Sequence, residues 1–134
     1  VDEGSRLPYD NLRVARSDAI KLLSRGVASS SLSSILITFP DPFPAQPDNR
    51  LVHMDTVDEF FRVLKPFGRL YLATDHANYF KWSVQLIEKK QAHWHRLDPC
   101  PDRRDWLPVV SYYEHQGWVN GRQTYTACWE KIVG

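Results

Sequence analysis

Three aspartates sit where a carboxylate could be put to chemical use: Asp18 in RSDA, Asp41 in FPDPFP and Asp75 in LATD. Each follows a segment with the residue pattern of a β-strand. Asp41 is the most constrained, because Pro40, Pro42 and Pro44 surround it. Each proline fixes its own backbone and cannot donate to a sheet ladder. An acid held this way needs no ordering when a ligand arrives, which avoids an entropic cost. A fixed carboxylate can accept hydrogen bonds from N–H donors. It can also lie beside positive charge that develops during a reaction. A lone acid after a strand is usually a helix cap. Acids repeated in the same topological position point instead to a shared site.

The elements that would carry these acids can be read from the pattern. NLRVA (11–15) reads as a short strand, and DAIKLL (18–23) as a short helix with Asp18 at its N-cap. A Gly/Ser loop leads to SILITF (34–39), a nearly continuous apolar run expected of a strand buried on both faces. The proline-rich loop PDPFPAQPDNR follows. Met54, Val57, Phe60, Phe61 and Leu64 then fall at helical spacing, with Asp55 as the candidate N-cap and KPFG as the stop. GRLYLAT (68–74) is a second buried strand. Helical periodicity resumes from His76 to about Trp94, with Tyr79, Trp82, Leu86 and Ile87 on one face. DPCPDRRDWLP reads as a loop. VVSYYE and QTYTACWEKI close the chain as an antiparallel pair of strands.

This alternation predicts α/β structure over 1–134, with a mostly parallel sheet and an antiparallel C-terminal edge. In such sheets ligands gather beyond the carboxyl ends of the strands, where the three acids fall. No internal repeat is found.

Composition sets the outer bounds. The 134 residues are 43% hydrophobic and 25% charged, an ordinary globular balance that excludes a disordered chain. No run approaches the ~18 apolar residues of a membrane span. The first ten residues are polar and acidic, unlike a signal or transit peptide. Cys100 and Cys128 lack metal-ligand spacing and read as reduced thiols of a cytosolic or nuclear protein. The net charge of +1 neither demands nor excludes a nucleic-acid partner. His93 and His95 flank Trp94, but residues two apart point to different faces of a helix, so HWH reads as a surface helix end and no metal is expected. Lys89, Lys90, Arg96, Arg103, Arg104 and Arg122 read as a solvated face, with a phosphate-binding patch as the alternative. Trp106, beside two arginines, is the tryptophan that could stack on a base rather than fill a core.

From about Asn11 onward the pattern NLRVARSDA … ILITFPDPFP … RLVHMDTVDEFFRVLKPFGRLYLATD resembles the tRNA (guanine-N7)-methyltransferase family, the TrmB-like enzymes. The FPDP turn with RLV, and the F-x-x-V-L-K-P-x-G-R-L-x-L-A-T-D run, carry the resemblance; LKPFGRL alone is common to many methyltransferases. SYYEHQG is similar to the family's T-x-F-E-x-x-G motif, with Ser111 in place of threonine. The resemblance implies a Rossmann-like fold that uses S-adenosylmethionine to methylate N7 of a guanine in tRNA, in the cytoplasm or nucleus. It implies tRNA as partner, a non-catalytic protein subunit as a further candidate, and no membrane.

Position by position, the resemblance implies that Asp18 and Ala19 lie beside the adenine of the methyl donor, with Phe39 also at the donor. Asp41 matches the catalytic acid, near both donor and guanine. Asp75 matches the acid that contacts the target nucleoside. Ser111 and Glu114 match the motif that closes over the same pocket, and Arg50 is the cation left to the substrate. Two other readings stay open: a Rossmann-like methyltransferase with another target, and a catalytically degenerate tRNA-binding or scaffolding subunit.

The sequence departs from the family twice. The glycine-rich G-x-G-x-G turn of the methyl-donor site is absent, as is the acid that grips the ribose. The chain is therefore expected to be the C-terminal portion of a methyltransferase domain, inactive alone and a poor binder of S-adenosylmethionine. Second, the basic stretch that follows PDP-W in the family is here FPAQPDNR. Phe43 replaces tryptophan, Ala45 stands where a lysine is expected, and Arg50 is the one basic residue. Cations there would grip phosphates.

Overall fold

The computed structural model describes residues 9–132. Its elements run α1 (Ala19–Gly26), β1 (Leu32–Thr38), a 3-10 turn (Pro47–Asn49), α2 (Met54–Val63), β2 (Leu64–Thr74), α3 (Ala77–Glu88), β3 (Trp94–Arg96), α4 (Arg103–Trp106), α5 (Tyr112–Val119) and β4 (Tyr125–Lys131). The strands form one sheet in the order β1-β2-β4-β3. β1 and β2 run parallel across the α2 crossover, whereas β4 is antiparallel to both β2 and β3. The fold is Rossmann-like α/β, as expected. Among the described residues the sheet is mixed, and β4 lies inside it rather than at its edge.

The apolar period of α2 and α3 explains the core. Val57, Phe60, Tyr79, Leu86 and Ile87 meet Ile37, Leu70, Leu72, Ala127 and Trp129 from one face of the sheet. Each fully buried side chain of this size contributes about 1.5–3 kcal/mol. Lys131 Nζ donates to the carbonyls of Phe61 and Leu64 at 2.7 and 2.8 Å, which ties β4 to the end of α2. Arg62 Nη2 donates to the carbonyls of Leu23 and Val27 at 2.7 and 2.9 Å, which seats α1 against α2.

Several expected elements differ. NLRVA is exposed and forms no strand, since no described strand lies beyond β1 to pair with it. For the same reason β1 is an edge: Leu36 is 44% exposed, and the run is not buried on both faces. The N-cap of α2 is His53, not Asp55, because the Thr56 hydroxyl accepts from His53 N–H at 3.0 Å. α3 stops at Glu88, so the HWH segment is a turn running into β3 rather than a helix end. His93 stacks on Phe61 with ring centroids 4.3 Å apart. VVSYYE is not a strand. It is a loop running into α5, and β4 pairs with β2 and β3 instead. The missed signal is Ser111-x-x-Glu114, a helix-start pattern: Ser111 Oγ accepts from Glu114 N–H at 3.2 Å.

Candidate functional site

Asp41 follows a sharp exit from the sheet. Phe39 N–H still donates to the Ala73 carbonyl at 2.8 Å, yet Phe39 has φ 49° and Phe43 has φ 39°. Both lie in the left-handed region, which costs a side-chain-bearing residue about 1–3 kcal/mol. Asp41 Oδ1 accepts from Phe43 N–H at 3.2 Å, closing a local turn. Arg50 clamps this turn from within. Its Nε donates to the Pro42 carbonyl at 2.7 Å and its Nη2 to Asn78 Oδ1 at 2.9 Å. Its guanidinium lies 5.3 and 5.2 Å from the ring centroids of Tyr79 and Trp82. Burial raises the Tyr79 phenol above its ordinary range; the Val52 N–H and Arg50 pull the other way. Arg50 is 2% exposed. It shapes the Asp41 turn and does not present a cation to solvent, contrary to the substrate contact expected of it.

Asp75 follows β2 and is held from far away. Its Oδ2 accepts from Arg122 Nε at 3.0 Å. The turn after α5 delivers that arginine. Arg122 N–H donates to the Gly117 carbonyl at 2.8 Å and Gly121 N–H to the Trp118 carbonyl at 3.0 Å, with Gly121 at φ 81°. This is a Schellman C-cap. Gly117 lies directly under the carboxylate, where a Cβ would stand 2.6 Å from Asp75 Oδ2.

α5 is itself anchored by a buried acid. Glu114 has no exposed surface, and both its oxygens accept from the Arg103 guanidinium. Thr124 Oγ1 donates to Glu114 Oε2 at 2.6 Å. Ser111 and Glu114 therefore anchor α5, which overhangs the site, and neither lines it.

Three segments enclose one cavity of about 590 Å³. Phe39 to Pro42 form one wall, Asp75 and His76 a second, and Tyr113, Gln116 and Arg122 the third. This volume is in the ~300–1,000 Å³ range of small-molecule sites. Asp41 and Asp75 thus face a common space, as do Phe39 and Asp41. Asp18 and Ala19 do not join them. They line a separate cavity of about 190 Å³ with Arg50, Leu51 and His53. Asp18 Oδ1 caps α1 by accepting from Ile20 N–H at 3.0 Å. Arg50, which lines this smaller space, also donates to the carbonyl of Pro42, a residue of the larger cavity's wall.

Tyr113, Gln116 and His76 were not singled out in the sequence. The first two were hidden by reading VVSYYE as a strand, since only a helix brings Tyr113 and Gln116 to the same face. The other basic residues are mostly spoken for: Arg96 pairs with Glu88, Lys90 with Asp58, Arg103 with Glu114 and Arg104 with Asp102. Arg104 holds the Asp102 carboxyl at about 2. Trp106 is not a free stacking platform; it stacks on Tyr71 with centroids 4.8 Å apart, and its Nε1 donates to the Pro101 carbonyl at 3.1 Å. Among the described residues no cluster of His, Cys, Asp and Glu could hold a metal ion, and no helix is long and apolar enough to cross a membrane.

The family model described as "Putative methyltransferase" matches residues 1–127. A tRNA (guanine-N(7)-)-methyltransferase of Corynebacterium glutamicum is 34% identical over 128 residues, covering 92% of this chain and 50% of that protein. The enzyme of the same name from Halorhodospira halophila is 38% identical over 81 residues, covering 59% of this chain and 35% of that protein. A crystal structure of an aminoglycoside resistance methyltransferase superposes with a TM-score of 0.46 at 14% identity, over 78% of this chain and 54% of the other. The chain spans about half the length of the first two curated relatives. With the family model matched along nearly its whole length, the chain belongs to this methyltransferase family, alongside relatives named tRNA (guanine-N7)-methyltransferases.

Proposed function

We propose that the complete protein transfers a methyl group from S-adenosylmethionine to N7 of a guanine in tRNA. The observation that supports this best is the convergence of Asp41 and Asp75, from two separate strand ends, on one cavity. The reaction needs little more from the protein than position and charge. Guanine N7 carries a free lone pair and needs no general base. Bound S-adenosylmethionine supplies an electrophilic methyl on a sulfonium centre. Positive charge then passes to the purine, and a nearby fixed carboxylate stabilises it without reorganising.

Asp41 suits that task. One of its oxygens is used by Phe43 N–H, which leaves Oδ2 for the ligand. Asp75 likewise has Oδ1 left over beyond its bond to Arg122. Free carboxylate oxygens accept guanine N1–H and N2–H, and adenine does not offer that pair of donors. Phe39 and Asp41 fit the reacting side of the methyl donor. Asp18 and Ala19, across Arg50, fit its far end. The reaction belongs in a compartment that holds tRNA, the cytoplasm or the nucleus.

The test is methyl transfer by the complete protein to a tRNA transcript, with N7-methylguanine measured by mass spectrometry. The expected result is one modified guanine per tRNA, and a fall in kcat of about 10²–10³-fold in Asp41→Asn with the fold intact. Undiminished transfer by Asp41→Asn would remove Asp41 from its role. Methylation of a transcript whose target guanine is replaced would point to another target, and tRNA binding without transfer would point to a scaffolding subunit.

A further inference from the structure

We infer that Arg122 is the phosphate-binding residue of this site, holding the backbone of the target nucleotide while its Nε stays on Asp75. The inference rests on the proposed reading that a tRNA nucleotide enters the cavity.

The cavity wall carries two carboxylates, Asp41 and Asp75, which repel a phosphodiester unless a cation stands beside them. Arg122 is the one lysine or arginine among the lining residues. The loop 43–49 contains none, and Arg50, which follows it, is buried on Pro42 and Asn78. Arg96, Lys90, Arg103 and Arg104 are each paired with an acid elsewhere.

Arg122 is also suited in detail. A guanidinium has five N–H donors in a planar fork. Only Nε is used, on Asp75, and the side chain is half exposed. The donors on both Nη atoms remain for a phosphate, and the bond to Asp75 fixes the fork before the ligand arrives. The Schellman turn at Gly121 fixes the backbone beneath it. Tyr113, 75% exposed on the same wall, offers a ring face to a base. Carboxylate for the base edge, ring for the base face and fork for the phosphate together match one nucleotide.

The experiment is the salt dependence of tRNA binding by the complete protein. Each phosphate contact contributes about 0.7–0.9 to the slope of log affinity against log salt. Arg122→Gln is expected to lower that slope by about this amount. It should raise KM about tenfold, more than it lowers kcat. Arg122→Lys, which keeps a point charge, should hold the slope. Asp75→Asn should hold the slope too and act on kcat. An unchanged slope in Arg122→Gln, with a kinetic defect like that of Asp75→Asn, would overturn the inference and leave Arg122 only a support for Asp75. Absence of N7-methylguanine from tRNA incubated with the unsubstituted protein would instead sink the proposed reaction, since the slope is read from binding alone.

Discussion

Asp41 and Asp75 face the same cavity, and they are held in opposite ways. Asp41 is fixed by its own neighbours: a hydrogen bond to Phe43 two residues on, prolines on both sides, and Arg50 on the carbonyl of Pro42. Asp75 has no such local frame. Its partner, Arg122, is 47 residues further along the chain. It reaches Asp75 only because α5 is seated, Gly117 leaves room and Gly121 turns the chain back. One wall of the site is thus made by local stiffness and the other by assembly. The first should survive most changes elsewhere, while the second should fail whenever α5 moves.

The largest effect is expected from unseating α5. Glu114→Ala leaves Arg103 without its partner in a part-buried position and removes the acceptor of Thr124. Removing one partner of a buried pair typically costs about 3–5 kcal/mol. We expect a loss of that order in chemical denaturation. Transfer activity should fall as well, because the Arg122 bond to Asp75 goes with the helix. A loss below about 1 kcal/mol, the level of an exposed pair, would mean that α5 is held by something other than Glu114.

Gly117→Ala is a smaller and more local intrusion. The new Cβ would stand 2.6 Å from Asp75 Oδ2, so the carboxylate or the helix must shift. Overpacking of this kind costs about 1–3 kcal/mol. The expected outcome is a lowered denaturation midpoint and a guanidinium released from Asp75, seen as a changed Arg122 side-chain Nε–H resonance. An unmoved resonance would show that Asp75 is not confined between Gly117 and Arg122.

The same division explains what the sequence disclosed. The Asp41 turn was legible as far as its causes are adjacent residues. Prolines and a strand end announce it, just as Asp18 announced itself as the cap of α1. The lone acid at Asp75 was visible, but not what holds it. Reading Val109–Glu114 as a strand came from a short apolar run, whose period does not separate strand from helix. Ser111 and Glu114 at capping spacing carried the better signal. The role of Arg50 was hidden for a different reason. Nothing in the sequence tells an arginine after a loop to fold inward between Tyr79 and Trp82 rather than outward to a phosphate. NLRVA has strand composition, but composition cannot supply a neighbour to pair with.

The smallest change tests the local wall by itself. Pro42→Ala keeps the carbonyl that Arg50 Nε grips and leaves Asp41 free to accept from Phe43 N–H. What it removes is the fixed backbone of the proline, so the effect falls on the unfolded chain, which gains freedom. Such a change costs about 0.4–1 kcal/mol. Turnover should fall only a few-fold, because the Arg50 clamp and the local turn still place Asp41. If Pro42→Ala instead cost more than Gly117→Ala in either stability or turnover, the ranking would reverse. The rigidity of Asp41 would then reside in the proline itself, with the Arg50 contact a consequence of the turn rather than its cause.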